Sequence, residues 1–296
     1  MLLQQEHLDR ISAAGFEPHI YLVCRRPRVG LDPASITFTP ERIRGRFFIQ
    51  RQDRQEFVEF DSPHSLGSSK LTVECPYPYS EFRFRTSAGA ILSHGKTSLL
   101  VATLGQQYWR YLDLEVLYIG QAYGRDGTRT ASQRLIRHET LQGIYAEALR
   151  RSPDQEIWIV VTTFEDQMFA SFDGISKTYG TTQAEDDAHI EQVVAADITE
   201  RQKINFTEAA LIRYFQPPYN TLLKDTFPNP AHSTYSECYD LDLNAVSTEI
   251  DTEEIGCRLW SETIAPQWVH VCMFPLHSRD ERMSMFEVPP KPKGAS

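Results

Sequence analysis

Residues 156–163, with the sequence EIWIVVTT, are an unbroken run of apolar and β-branched side chains after the first residue, Glu156. A run of this kind predicts a strand that is buried on both faces, because both alternating sets of side chains avoid water. Other elements of the fold must therefore cover both faces of this strand. The run therefore predicts a sheet with flanking helices.

The neighbouring segments predict a mixed α+β fold. Residues 114–120, LEVLYIG, predict a second strand, and residues 130–150 and 206–215 have the apolar spacing of helices. Pro217 and Pro218 end the second of these helices. The fold class that follows is α+β, with a small, mainly antiparallel sheet flanked by helices and with β-rich elaborations at both ends.

Three regions are predicted along the chain. Residues 1–98 contain short aromatic and β-branched segments separated by Pro, Gly, Asp and Ser, which is typical of strands and turns. Residues 99–225 hold the strand and helix patterns described above, with an acidic insertion at about 166–202. Residues 226–296 are predicted to be a β-rich extension that ends in a disordered Pro/Lys/Gly tail.

Composition narrows the setting of the protein. The 296 residues include no apolar run of the roughly 20 residues that a membrane helix needs, so no membrane association is expected. The five cysteines show no C-x-x-C spacing, and their odd number opposes a complete disulfide framework. Free thiols in a reducing cytoplasm are the resulting expectation.

The charge of the chain is unevenly distributed. A formal net charge of −10 opposes binding to a polyanion, because phosphate contacts need positive surface. Arginines are nevertheless clustered, and a locally positive face on an acidic protein can still bind nucleic acid. The clusters comprise Arg25, Arg26, Arg28, Arg42, Arg44 and Arg46, and then Arg125, Arg129, Arg134, Arg137, Arg150 and Arg151. Solvated surface is the alternative interpretation of both.

Four motifs occur in a fixed order. They are Tyr118-Ile-Gly-Gln-Ala122 at the end of a strand, Arg134-Leu-Ile-Arg-His138 early in a helix, Glu208 at the start of a later helix, and Gln216-Pro-Pro-Tyr-Asn220 just after that helix. This ordered set resembles the GIY-YIG nuclease family, and the resemblance covers a little over a third of the chain. Residues 207–225 resemble the bacterial excision-repair incision nuclease. The R-x-x-R-H arrangement resembles that of phage homing endonucleases.

The resemblance implies an endonuclease that uses Mg²⁺ or Mn²⁺, with DNA as the expected substrate, RNA as a weaker option, and a protein partner or a second copy as a further option. Phosphodiester hydrolysis needs an activated water, a Lewis acid and a cation that offsets developing charge. Glu208 is the implied metal ligand, Arg134 the phosphate clamp and Tyr118 the proton acceptor or relay. The full set of implied catalytic residues is Tyr108, Tyr118, Arg134, His138, Glu208 and Asn220, and the implied substrate-binding residues are Gln121, Arg129 and Arg137.

The chain departs from the family pattern before Tyr118. No GIY sequence precedes it at the family's spacing, and Tyr108, ten residues upstream, is the nearest candidate for the missing tyrosine, with Tyr111 as the fallback. The longer separations are assigned to surface loops at 123–130 and about 166–202, because loop insertions cost little free energy.

Each candidate also has a structural interpretation. Asn205-Phe-Thr-Glu208 fits a capping box at the start of a helix, in which Glu208 would only satisfy the backbone. Tyr118 fits an ordinary strand aromatic, and Arg134 and His138 fit a solvated helix face. A module that has lost activity and binds nucleic acid or protein is therefore the alternative function.

Overall fold

The computed structural model describes residues 1–15, 17–67, 70–122, 135, 139–165, 182–196, 198–229, 238–239, 241, 243 and 245–276. The predicted disordered tail lies outside these ranges. Within them, no helix combines the length and the apolarity that spanning a membrane requires.

A five-stranded sheet forms the centre of the protein. Its strands are β1 (Leu2–Leu3), β2 (Ile20–Pro27), β10 (Leu114–Gln121), β11 (Gln155–Thr162) and β13 (Leu259–Trp260). Their order across the sheet is β1-β11-β2-β10-β13, and only the β10–β13 pair is parallel. The strands predicted at 114–120 and 156–163 are both confirmed, and both border β2.

Three smaller antiparallel sheets surround this centre. One contains β3 (Val29–Leu31), β4 (Thr37–Phe38), β5 (Arg42–Arg51) and β6 (Arg54–Pro63). A second contains β7 (Leu71–Glu74), β8 (Glu81–Thr86) and β9 (Ile91–Lys96). The third is a ribbon of β12 (Ala245–Asp251) and β14 (Val269–Pro275). The predicted β-rich character of both ends is therefore confirmed.

The described helices are α1 (Asp9–Ala13), α2 (Thr97–Leu104), α3 (Glu139–Arg151), α4 (Gln183–Ala195) and α5 (Glu200–Phe215). Short 3₁₀ turns occupy Gln5–His7, Pro33–Ser35, Gln106–Tyr111 and Glu253–Ile255. Helix α4 and the first turn of α5 lie inside the segment predicted to be a surface insertion.

Helix α5 begins earlier than the sequence pattern predicted. Thr199 is its N-cap: the Thr199 hydroxyl accepts from the Gln202 backbone, and the Gln202 side chain accepts from the Thr199 backbone. The capping box predicted at Asn205 and Glu208 is therefore wrong, because both residues lie inside the helix. A capping role no longer explains either side chain.

Strand β11 is buried on both faces, as its composition predicted, with Glu156 to Val161 all buried. On one face Trp158 and Val160 share a core with Leu211 and Ile212 of α5. On the other face, Ile159 and Val161 pack with Leu141 and Ile144 of α3. The two helices therefore cover opposite faces of the central sheet.

The central sheet does not respect the regions predicted from sequence. Strand β2 comes from the predicted N-terminal region, and β13 comes from the predicted C-terminal extension. Both pair directly with β10. The sheet therefore crosses both predicted boundaries, at 98/99 and at 225/226.

A buried ion pair ties β2 to β11. Arg26 is 2% exposed, and its Nε lies 4.0 Å from Oε2 of Glu156, which is also buried. The Arg26 guanidinium lies 4.3 Å from the centre of the Trp158 ring and donates to the Leu112 carbonyl at 3.3 Å. Burial lowers the pKa of Arg26 and raises that of Glu156. Removing one partner would leave an uncompensated buried charge.

A buried histidine joins the ribbon to α5 and to the edge of the central sheet. His270 Nε2 lies 3.1 Å from the carbonyl oxygens of both Leu259 and Gln267, so it carries the ring hydrogen. Its Nδ1 lies 3.2 Å from the Tyr214 hydroxyl, which is the donor in that pair. Burial lowers the pKa of His270 below its usual 6.5, against the opposing effect of the two carbonyls.

We expect the stability of the protein to fall as the pH drops below about 6.5. In this range the unfolded chain takes up a proton at His270 before the folded chain does, so acid favours unfolding. The His270→Gln variant should be less stable at pH 7.5 but should lose less stability on acidification. Urea unfolding followed by circular dichroism between pH 5 and 7.5 measures how steeply the free energy of unfolding changes with pH in each protein. Equal slopes in the two proteins would exclude His270 as the cause.

Candidate functional site

The turn after α5 holds the strand that carries the YIG motif. The Asn220 side chain accepts from the Ile119 backbone N–H and donates to the Ile119 carbonyl, both at 2.9 Å. The backbone N–H of Tyr219 adds a third hydrogen bond to the Leu117 carbonyl at 3.0 Å. Asn220 is buried, so these bonds replace water at both polar groups of its amide.

Local sequence explains why the chain returns to β10 at this point. Helix α5 stops at Gln216, which has a left-handed backbone with φ of 51°. Pro217 and Pro218 cannot continue a helix, and the Asn220 N–H closes a turn onto the Pro217 carbonyl at 3.2 Å. The predicted positioning role of Asn220 now has a physical basis, because its amide fixes the peptide that follows Tyr118.

Helix α5 also brings Glu208 to the end of the same strand. The Gln121 Nε2 atom lies 2.7 Å from Oε2 of Glu208 and 2.6 Å from Oδ1 of Asn205. Asn205 and Glu208 are three residues apart, so they lie on one side of the helix. The structure therefore brings together two predicted residues, Gln121 and Glu208, and adds Asn205 to them.

The ring of Tyr118 lies on the other face of β10. Side chains alternate along a strand, so Tyr118 and Gly120 share one face while Ile119 and Gln121 share the other. Ile119 packs in the core that includes α5, whereas Tyr118 packs against the core that includes α3. The structure thus places Tyr118 and Glu208 near the same end of β10, since Glu208 contacts Gln121, but on opposite faces of the strand.

Gly120 lets two tyrosine rings close over the strand. A Cβ atom at Gly120 would lie 2.7 Å from the Tyr21 hydroxyl oxygen and 2.9 Å from a ring carbon of Tyr118. The ring centres of the two tyrosines are 5.9 Å apart. Since real Cβ atoms do not approach other atoms this closely, the packing of both rings requires glycine at this position.

We expect Gly120→Ala to destabilise the protein by about 1–3 kcal/mol, because the methyl group overpacks a buried site. Gly143 in α3 is a matched control, since an added Cβ there meets nothing within 4 Å. Gly143→Ala should raise stability by about 0.5–1 kcal/mol through helix propensity. Chemical denaturation of the three proteins measures both changes. A neutral Gly120→Ala would show that the rings do not close as described.

Strand β2 pairs with the YIG strand in the antiparallel manner expected of the missing first strand. Tyr21 lies opposite Gly120, and Leu22 lies opposite Ile119. Tyr108 lies instead in the 3₁₀ turn Gln106–Tyr111, packs against Phe47 and donates its hydroxyl to the Glu59 carbonyl at 3.3 Å. The prediction that Tyr108 supplies the first tyrosine of the hairpin is therefore wrong, as is the fallback Tyr111 in the same turn.

The sequence contains a motif at the start of β2 that resembles GIY, but it lies far from the YIG motif in the chain. The segment His19-Ile20-Tyr21 differs from GIY only at its first residue, and it begins a strand of apolar and β-branched residues. It lies 97 residues before Tyr118, and the β3–β9 sheets fill the interval. A tyrosine expected about ten residues before the YIG motif does not point to this segment.

His19 is a second residue that sequence reasoning missed. Its Nδ1 accepts from the Phe164 backbone N–H at 3.3 Å, so the ring hydrogen lies on Nε2. Nε2 is 3.1 Å from Oε1 of Glu200, the first residue of α5. The Ala122 N–H donates to the His19 carbonyl at 2.8 Å. His19 therefore joins β2, the residues after β11 and the start of α5 at the end of the sheet that holds Gln121.

The remaining predicted residues, Arg129, Arg134, Arg137 and His138, lie outside the described residues. Leu135, within the same segment, is described as fully buried in the core that Tyr118 packs against. Leu135 therefore lies on the face of the sheet that carries Tyr118.

A phenol–carboxylate pair connects the turn after α5 to α3. The Tyr219 hydroxyl donates to Glu147 Oε2 at 2.8 Å, and Glu147 Oε1 accepts from Arg151 at 2.8 Å. Burial and the Glu147 carboxylate raise the pKa of Tyr219, while the hydrogen bond from Tyr219 lowers the pKa of Glu147. Tyr219 therefore acts as a hydrogen-bond donor that anchors the turn.

The oxygen atoms near the strand end suit a hard divalent cation. No group of three or more His, Cys, Asp and Glu side chains that could hold a metal occurs among the described residues. Glu208 supplies one carboxylate, and Asn205 supplies an amide oxygen 2.6 Å from the same Gln121 nitrogen. Mg²⁺ is commonly bound through one or two carboxylates and keeps several waters, so this donor set fits it.

The first arginine cluster predicted from sequence is mostly neutralised. Arg42 and Arg44 both pair with Asp61, at 2.5 and 2.8 Å, and Arg46 pairs with Asp32 at 2.6 Å. Other members are dispersed, since Arg25 pairs with Glu115 and Arg26 is buried. Arg42, Arg44 and Arg46 pair with only two carboxylates, so this part of the cluster keeps little uncompensated positive charge.

Comparison with known proteins adds no assignment: no family model, curated protein or solved structure matches this chain. The GIY-YIG resemblance therefore rests on the sequence motifs alone.

Proposed function

We propose that this protein is a metal-dependent endonuclease that hydrolyses phosphodiester bonds in DNA, with Mg²⁺ or Mn²⁺ bound at Glu208. One observation carries the proposal. Glu208 reaches the strand directly after the YIG motif, where its Oε2 lies 2.7 Å from Gln121 Nε2. Glu208 and Asn220 are 12 residues apart in sequence, yet both contact the same four-residue stretch of β10.

The pairing of the two motif strands gives further support. The family resemblance implies a GIY strand next to the YIG strand, and β2 offers His19-Ile20-Tyr21 in that position. In this proposal Tyr21 takes the place first assigned to Tyr108. Its ring packs beside that of Tyr118 over Gly120, so the two motif tyrosines share one face of the sheet.

The residues would divide the chemistry between them. When bound, the metal would polarise the phosphoryl group and its attacking water. Glu208 would hold the metal, and Asn220 would keep the strand end in register through its two bonds to Ile119. Arg134 would bind the phosphate, and His138 would assist it.

The role of Tyr118 makes a specific demand on the substrate. Its phenol lies on the α3 face of β10, and the Glu208 carboxylate lies on the α5 face. A phosphate that uses both groups must lie across the end of the strand, beyond Gly120. Arg134 and Arg137 would supply positive charge to this phosphate.

We expect Glu208→Gln to reduce Mg²⁺-dependent nicking of supercoiled plasmid by about 100-fold or more, because a neutral amide is a poor substitute for the carboxylate ligand. The variant keeps the shape of the side chain, so circular dichroism should show a native fold. Glu249→Gln, which changes an exposed carboxylate on β12, should nick at the wild-type rate. Unchanged nicking by Glu208→Gln would reject this site.

We expect Tyr118→Phe to slow nicking by about 100-fold at saturating Mg²⁺, as is typical for loss of a proton-transfer group. The ring packing against Tyr21 is preserved, so stability should change little. Single-turnover nicking rates measured from pH 6 to 9 would also show whether a basic limb disappears in the variant. A wild-type rate would remove Tyr118 from the chemistry and leave it as a packing residue.

The alternative is a module that binds nucleic acid or protein without cutting. The ion pairing of Arg42, Arg44 and Arg46 favours the protein-binding form of this alternative, because these residues offer little uncompensated positive charge for a nucleic acid. Plasmid incubated with the protein and Mg²⁺, with and without EDTA, separates the two functions, since only the nuclease gives nicks that EDTA prevents. Matched DNA and RNA duplexes in the same assay would identify the substrate.

A further inference from the structure

Two oxygen atoms of helix α5 point at a single nitrogen atom at the end of strand β10. Gln121 Nε2 lies 2.6 Å from Asn205 Oδ1 and 2.7 Å from Glu208 Oε2. An amide nitrogen has two hydrogens, so it donates one to each oxygen. A positively polarised group therefore occupies the point on which the two oxygens converge.

We propose that this point is a divalent-cation site in which Asn205 is a second protein ligand beside Glu208. We further propose that Gln121 is the occupant of the site in the cation-free state and becomes its third ligand when the cation binds. This inference deepens the proposed function and rests on the assignment of Glu208 as the metal ligand.

The chemistry of the three side chains suits this exchange. Carboxylate and amide oxygens are both ligands of Mg²⁺, Mn²⁺ and Ca²⁺. The last torsion of a glutamine side chain is broad and roughly two-fold, so half a turn replaces the amide nitrogen with the amide oxygen. Without a cation the nitrogen faces Asn205 and Glu208, and with a cation the oxygen would face it.

A cation at the position of the Gln121 nitrogen requires the Asn205 and Glu208 oxygens to move inward and the Gln121 amide to withdraw by one metal–oxygen distance, about 2 Å. The two oxygens lie 2.6 and 2.7 Å from the nitrogen, whereas Mg²⁺–oxygen distances are about 2.0–2.1 Å. A contraction of about 0.6 Å is within reach of side chains that are only partly buried, as all three are. Their partial exposure also leaves room for the water molecules that complete the shell of Mg²⁺.

The position of Asn205 is explained by this role. Asparagine is a weak helix former, because its side chain competes for backbone hydrogen bonds. Asn205 nevertheless lies in the second turn of α5, and the N-cap of that helix is Thr199. Its amide oxygen is directed at the end of β10. A ligand role gives this residue a function that helix capping does not.

Binding of Mn²⁺ to the full-length protein tests the ligand set without any measurement of cleavage. Electron paramagnetic resonance of free Mn²⁺ gives the dissociation constant directly. Asn205→Ala should weaken Mn²⁺ binding by about tenfold. Asn205→Asp should bind at least as tightly as the wild type, because it keeps the oxygen and adds a negative charge. Gln55→Ala, which removes an exposed amide on β6, should leave the constant unchanged.

The Gln121→Glu variant tests the exchange at Gln121. It places a second carboxylate beside Glu208 and removes the hydrogen-bond donor, so the melting temperature in EDTA should fall through like-charge repulsion. Mn²⁺ should then raise the melting temperature by more than it does in the wild type, because the cation binds the folded state more tightly. An equal rise in the two proteins would overturn the role of Gln121.

The results separate this inference from the proposed function. If Asn205→Ala lowers the melting temperature and leaves the Mn²⁺ constant unchanged, Asn205 only supports Gln121 and the ligand assignment fails, even if plasmid is still nicked in a Glu208-dependent manner. If Mn²⁺ binding follows the expected pattern and no plasmid is nicked, the cation site stands and the nuclease proposal fails.

Discussion

The pairing of β2 with both β10 and β11 is the constraint on which the rest of the structure depends. Eight residues from near the start of the chain fill the gap between two strands that begin 94 and 135 residues after them. This central position makes β2 buried on both faces, and the Arg26–Glu156 pair adds an electrostatic tie across the sheet. Without β2, the YIG strand and β11 would have no common neighbour.

The candidate site depends on that sheet through a single helix. Helix α5 packs on one face of the central sheet through Leu211 and Ile212. This packing determines where along β10 the Glu208 side chain makes contact, which is at Gln121. The turn that follows the helix then returns Asn220 to Ile119 of the same strand. Glu208, the proposed ligand, and Asn220 are thus placed by the helix and by the turn that directly follows it.

Sequence reasoning succeeded where a pattern is local. The apolar runs at 114–120 and 156–163 were predicted as strands because each pattern is complete within eight residues. It failed at the start of α5, because Asn205 and Glu208 imitate a cap, while the true cap at Thr199 lies in an acidic stretch that resembles a loop. It also failed to identify β2 as the partner of the YIG strand, because the pairing of strands far apart in the chain produces no characteristic sequence spacing.

By itself the sequence determined the α+β class, the two strands that border β2, and the order of the motifs, because side-chain periodicity and proline stops act within a few residues. Only the tertiary structure decided that Tyr21 and not Tyr108 lies beside the YIG motif, and that Asn205 and Glu208 converge on Gln121. Those choices arise from the register of strands far apart in the chain and from the position of α5 on the sheet. Both are set by burial of the whole core, which no local segment encodes.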